Sequence, residues 1–329
     1  MVATPAGPGR RAYARPVALA RLTPRAYARM TLAALVMVSA IIVTGAAVRL
    51  SDSGLGCSDW PRCEQGTLIG ASNQHQIIEQ VNRLFTGVMV VALAVTVLGS
   101  LRRTPRRRDL TWLSLALVLG TLGQAVVGGV VVLTHLHPAA VQQHFVVSVV
   151  MVTAALVLHR RAREEGGRRR VVSEPIHRHV WAVAVGTALA IAAGTVVTGT
   201  NIHSGSTAAG QPVRRFGFAI TSVTRVHSGL VLVTLGLTLA LAWRLRRRPA
   251  ERAVLEDGIS LFLLAGFTQA GLGYVQYALD TPAVLVGFHV LGAVLVWIAA
   301  VHLVLVCRRA DSVLELSDAP PEVAAAAVP

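Results

Sequence analysis

Residues 124–144 read QAVVGGVVVLTHLHPAAVQQH, and 145 positions further on residues 269–289 read QAGLGYVQYALDTPAVLVGFH. Six of the 21 paired positions are identical, among them a glutamine, a glycine and a terminal histidine set in otherwise apolar sequence. Gln124 aligns with Gln269, Gly128 with Gly273 and His144 with His289, without a gap. The same offset carries Asn82 onto His227. Self-similarity at so long a period points to two related halves. Each half brings two polar side chains into apolar surroundings.

Those surroundings are a membrane. The chain is 53% hydrophobic and 14% charged, with a mean hydropathy of +0.59, a balance no ordinary soluble domain shows. Eight apolar runs lie roughly at 29–50, 76–100, 110–134, 140–159, 179–200, 220–243, 258–279 and 283–306. Each is about 20 residues or slightly longer, as a bilayer-spanning helix requires. The fold class expected is therefore an all-α integral membrane protein with eight transmembrane helices.

Charge sets the orientation. Every basic residue is arginine, and 25 of the 31 fall in residues 1–29, in the connections 102–108, 160–178 and 244–252, and at 308–309, all on one side of the membrane. By the positive-inside rule that side is the cytoplasm, and both termini lie there. The chain divides accordingly into a disordered basic tail (1–28), a first half (29–159), a basic linker (160–178), a second half (179–306) and a C-terminal tail (307–329). A net charge of +15 does not indicate nucleic acid, because the arginines are interspersed between apolar runs and aromatic side chains are few.

Asn82, His144, His227 and His289 lie on the even-numbered helices, all at one depth, about 6–12 Å below the outer surface at 1.5 Å per residue. Polar groups inside a bilayer are costly and generally face a bundle interior. Two neutral imidazoles on facing helices form an axial grip for a haem iron. A single histidine of this kind more often makes only an interhelical hydrogen bond. For His227 and His289 together, matched in depth and in repeat position, haem ligation is the expectation. Glu79 shares a helix face with Asn82 and Arg83. It is expected to be catalytic, acting as a base or charge stabiliser; the alternative is a simple ion pair with Arg83. Arg49 and Arg225, at outer helix ends, are candidates for haem propionates, or for snorkelling to lipid phosphate. Cys57 and Cys63 fall in the first outer loop, where a disulfide can form; it would serve as a staple or as an exchangeable redox pair. Cys307 is expected to be a lone thiol.

TGAAVRL at 44–50, SGLGC at 53–57 and DWPRC at 59–63 together resemble the first helix and outer loop of bacterial haem A synthases of the CtaA type. Further matches are Glu79-x-x-Asn82-Arg83, the stretch 124–144, Thr198-Gly199 with His203-Ser204-Gly205, Arg225-x-His227 and the stretch 269–289. The resemblance implies oxidation of the C8 methyl group of haem O to a formyl group, giving haem A for terminal oxidases. It implies two pseudo-symmetric four-helix bundles. One haem b would sit in the C-terminal half on His227 and His289. Substrate haem would sit in the N-terminal half with His144, Asn82 and Arg83, Glu79 would be important for activity, and Cys57 and Cys63 would be linked to redox chemistry. Partners implied are haem O, haem O synthase, cytochrome oxidase assembly factors and a second copy of the chain, all at the cell membrane.

Two departures stand out. Many members have histidine where this chain has Asn82, and an amide is a poor iron ligand beside imidazole. A second outer-loop cysteine pair common in the family is absent, since 201–219 holds no cysteine. Two other classes compete: a membrane dihaem electron-transfer cytochrome, which would want four strong ligands, and a transporter built from parallel repeats.

Overall fold

The computed structural model describes residues 21–57, 59–63, 73–164, 166–205 and 213–310. Eight α-helices dominate them: α1 (Pro24–Leu50), α2 (Gln74–Arg102), α3 (Arg108–Leu133), α4 (Pro138–Arg163), α5 (Glu174–Thr200), α6 (Ile220–Leu245), α7 (Pro249–Ala278) and α8 (Ala283–Val306). All eight are long and apolar enough to cross a membrane. The chain is an all-α, multi-pass integral membrane protein.

Local chemistry sets the helix ends. Thr23 caps α1 by accepting from the Ala26 N–H at 3.2 Å, and Asn73 caps α2 by accepting from the Gln76 N–H at 3.0 Å. Proline occupies the first turn of α1, α4, α5 and α7, where its missing N–H is no loss. Most helices outrun the apolar stretches that define them. Arginine is a good helix former, so α2, α4 and α6 continue into basic sequence that the bilayer could not hold. The linker 160–178 accordingly contains the last turn of α4, a strand β1 (Arg168–Arg170) and the first turn of α5. β1 pairs antiparallel with β2 (Arg308–Ala310), which directly follows α8. The N-terminal tail expectation falls largely on residues outside those described, but α1 already begins at Pro24.

Packing runs mainly between sequence neighbours. α1 contacts α2 and α4, and α3 contacts α2 and α4; α5 contacts α6 and α8, and α7 contacts α6 and α8. The two sets meet through α1 with α8, and α4 with α5 and α8. One buried cluster gathers Leu93, Leu110, Leu117, Val152 and Leu158 with Val294 and Val301 of α8. A second gathers Ile176, Val183, Leu241, Leu255, Phe262 and Leu303. With lipid as apolar as leucine, interhelical hydrogen bonds and close packing carry specificity. Tyr27 bonds Ser114 at 2.8 Å, Thr31 bonds His159 at 3.1 Å, and the Trp297 indole donates to Thr153 at 2.8 Å. Large side chains such as Val88, Trp112, Leu264 and Trp243 remain exposed, as a lipid-facing surface requires.

The echo between 124–144 and 269–289 recurs in the backbone. His135 and Leu136, between α3 and α4, both take positive φ (52° and 56°), and so do Asp280 and Thr281 between α7 and α8 (56° and 57°). These are the same positions under the 145-residue offset, although the four residues share no identity. Left-handed backbone is disfavoured for residues with a Cβ. Its appearance twice in succession, at matched positions, marks one turn design used twice.

Candidate functional site

Asn82, His144, His227 and His289 lie eight, six, seven and six residues beyond the first residues of α2, α4, α6 and α8. At 1.5 Å per residue this places all four about 9–12 Å into their helices. They line one cavity of about 1280 Å³, which is also lined by Glu79, Arg83, Arg49 and Arg225. That volume exceeds the roughly 300–1,000 Å³ of ordinary small-molecule sites.

His227 and His289 face each other with ring centroids 6.3 Å apart and planes inclined by 74°. An imidazole–metal bond of about 2.0 Å, plus roughly 1.2 Å from nitrogen to ring centre on each side, asks for about 6.4 Å. The Nδ1–H of His227 donates to the Ala190 carbonyl at 2.8 Å, which leaves Nε2 as the free lone pair, the usual orientation of a ligating histidine. No group of three or more His, Cys, Asp or Glu side chains suited to a metal ion occurs among the described residues. Two imidazoles alone do not hold a bare ion; they suit an iron whose equatorial ligands come with it, and the site fits a haem.

The glutamines of the repeat serve the histidines. Gln124 Nε2 donates to the His144 carbonyl at 2.8 Å, and Gln269 Nε2 donates to the His289 carbonyl, also at 2.8 Å. Glycines leave room for the rings: a Cβ on Gly128, Gly194 or Gly273 would lie 3.5, 3.1 or 3.2 Å from the Cε1 of His144, His227 or His289. A Cβ on Gly292 would lie 1.9 Å from Gln269 Oε1. Gly292→Ala is therefore expected to evict the Gln269 amide, lose a bond of about 1 kcal/mol and lower the melting temperature of the haem-bound protein by a few degrees. Gly287→Ala, whose Cβ would meet only Leu50 at 3.6 Å, is the control; a melting temperature unchanged in both would refute the role.

The other half is built differently. Asn82 Oδ1 accepts from the Thr44 hydroxyl of α1 at 2.8 Å. His144 Nδ1, like His289 Nδ1 in the second half, is buried with no hydrogen-bond partner among the described residues. Glu79, only 6% exposed, does pair with Arg83: the guanidinium donates to Oε1 from Nη2 at 2.6 Å and from Nε at 3.1 Å. Its other oxygen, Oε2, accepts the Cys57 N–H at 2.8 Å. Cys57 and Cys63 form a disulfide, both fully buried. Cys307 is a buried free thiol. Arg49 has a buried Nε without a hydrogen-bond partner among the described residues, while Arg225 is exposed to the cavity.

A family model described as a cytochrome oxidase assembly protein, COX15-CtaA, matches residues 28–301. The chain belongs to the COX15-CtaA family. Similar curated proteins carry the name "Heme A synthase". One from Lysinibacillus sphaericus is 26% identical over 166 residues, 49% of this chain and 54% of the relative. One from Exiguobacterium sibiricum is 24% identical over 225 residues, 65% and 74% of the two chains. One from Shouchella clausii is 24% identical over 280 residues, 82% and 93%. The match spans about half the length of the Lysinibacillus protein and nearly all of the Shouchella protein.

The COX15-CtaA fold thus brings His227 and His289 into direct apposition, and Glu79 onto Arg83 and the Cys57 backbone. Sequence reading missed Thr44 as the partner of Asn82, and the Ala190 carbonyl and Gly194 behind His227. It also gave His203 no task, whereas its Nε2 bonds the Thr281 carbonyl at 2.6 Å and ties the α5–α6 loop to the α7–α8 turn. A carbonyl acceptor carries no side-chain signal, so only packing could reveal these.

Proposed function

We propose that this protein is a haem A synthase, an oxidoreductase that converts the C8 methyl group of haem O to a formyl group. The observation that carries the reading is the apposed His227–His289 pair in a COX15-CtaA chain. These two histidines would hold one haem b through their Nε2 atoms, with the Ala190 carbonyl fixing the tautomer of His227. A haem held there supplies one-electron chemistry at its iron when bound. Substrate haem O is assigned to the first half, on His144, with Asn82 on the neighbouring helix; Arg83, whose guanidinium donates to Glu79 and to the carbonyls of Asp59, Pro61 and Arg62, borders that site and acts on it through the outer loop. Asn82 is turned toward Thr44 and offers no imidazole, so one axial face of the substrate iron has no protein ligand. Arg49, a buried guanidinium in the cavity wall, and Arg225 are assigned to propionates, which arginine binds through its fork of donors.

The same reading makes the halves 29–159 and 179–306 pseudo-symmetric four-helix bundles, supported by the matched glutamine bonds and turns. It places both termini in the cytoplasm of a cell whose plasma membrane the chain spans, supported by the one-sided arginines. Haem O synthase, cytochrome oxidase assembly factors and a second copy are its partners of choice. Nothing supports a purely electron-carrying dihaem protein over this, because Asn82 withholds the fourth ligand.

Co-expression with haem O synthase in a host that lacks haem A is the test. Haem extracted from the membranes is expected to include haem A. Haem O alone, with folded protein present, would overturn the activity.

A further inference from the structure

Glu79 is the residue a mechanism would first choose as a base, yet neither of its oxygens is free. Oε1 is taken by Arg83 and Oε2 by the Cys57 N–H. The rest of the Arg83 guanidinium reaches the same loop, donating to the carbonyls of Asp59, Pro61 and Arg62, each at 3.3 Å. The pair therefore grips both limbs of the segment that the Cys57–Cys63 disulfide closes. What that segment does is visible in Trp60. Its ring lies against α3, where a Cβ on Gly129 would come within 2.7 Å of it, and Trp60 and Pro61 both line the cavity. Just before the segment the chain is pinned to α2: a Cβ on Gly56 would lie 2.5 Å from the His75 carbonyl oxygen, and Ser53 bonds His75 at 3.0 Å.

We infer that Glu79 and Arg83 act as one positioning unit that fixes the 57–63 loop as the roof of the first-half end of the cavity, and that Glu79 is not a proton acceptor in the reaction. A carboxylate held by a guanidinium and an amide N–H through charge-assisted bonds has both oxygens engaged and aimed at the loop. The loop is stitched three times, by the disulfide, by the Glu79 carboxylate and by the Arg83 fork. This rests on the haem A synthase reading for its catalytic consequence, but the structural part does not.

The experiment separates the two. In a Cys307→Ser background, so that the loop cysteines alone report, purified protein carrying Glu79→Ala, Glu79→Gln or Arg83→Gln is exposed to tris(2-carboxyethyl)phosphine. Loop thiols are trapped with a maleimide over time. Glutamine keeps an oxygen for the Cys57 N–H and alanine does not. Loss of one such bond corresponds to about tenfold in rate, so Glu79→Ala is expected to be reduced about ten times faster than the parent and Glu79→Gln within about threefold of it. Arg83→Gln is expected to be faster too, and Glu79→Ala/Arg83→Gln no faster than the quicker single variant, as for one unit. Haem A production in cells should follow the same order, with Glu79→Gln largely retained and its pH profile unchanged in shape.

Loop reduction as slow as the parent in both Glu79→Ala and Arg83→Gln overturns the inference. So does a Glu79→Gln protein whose loop stays closed while haem A production falls as far as in Glu79→Ala, for that is the signature of a base. Should Glu79→Ala fail to fold, Arg83→Gln carries the thiol measurement. The thiol readout needs no haem O, so a protein that makes no haem A leaves it standing while sinking the proposed activity.

Discussion

Protein purified with His227→Ala or His289→Ala is expected to lose its haem b, the Soret absorbance per protein falling at least about tenfold, whereas His144→Ala keeps it. The expectation follows from the geometry of the pair. The two rings are 6.3 Å apart across the cavity, and the described residues place no third His, Cys, Asp or Glu with them. Removing either imidazole would leave the haem with one of its two proposed histidines, and no third His, Cys, Asp or Glu among the described residues is grouped with them to replace it. His227 is further held by the Ala190 carbonyl at 2.8 Å, so its replacement also removes a hydrogen bond between α6 and α5, worth about 1 kcal/mol. Unchanged Soret absorbance in both variants would remove the cofactor assignment.

His144→Ala is expected to give the complementary result: haem A production falling to background with haem b still bound. In the second half two imidazoles would share the work, but in the first half the position matching His227 is Asn82, whose amide oxygen is already engaged by Thr44. Amides are weak ligands for haem iron beside imidazole, so His144 would hold the substrate iron alone and its removal has no compensation. Haem A at parental levels in the alanine variant, quantified by extraction and chromatography, would place the substrate elsewhere.

The parts of this molecule that the bilayer dictates were legible in the chain. Twenty-odd apolar residues are needed per crossing, which gives eight helices, and a polar residue at membrane depth is conspicuous because it is expensive. Helix ends were less legible, since the arginines at 102, 160, 161, 163 and 244 mark the water boundary without stopping a helix. The pairing of Arg168–Arg170 with Arg308–Ala310 was invisible, because neither segment shows the apolar alternation of a strand. At Glu79 the i, i+4 spacing exposed both readings, and the neighbouring ligand position tipped the expectation to catalysis. The deciding partner, the Cys57 N–H, sits 22 residues away and comes within reach only once the outer loop has folded back onto α2. Thr44 and Asn82, 38 residues apart, are a pair for the same reason: contact across helices is a property of packing, which no local pattern encodes.

The twin turns at 135–136 and 280–281 have a bearing on how such halves are to be recognised. His-Leu and Asp-Thr have nothing chemical in common, and still the main chain takes the same left-handed path through both. The matched positions share a route for the backbone where they share no residues. Weak repeats of this kind are better sought by comparing torsion angles at a fixed offset than by aligning residues.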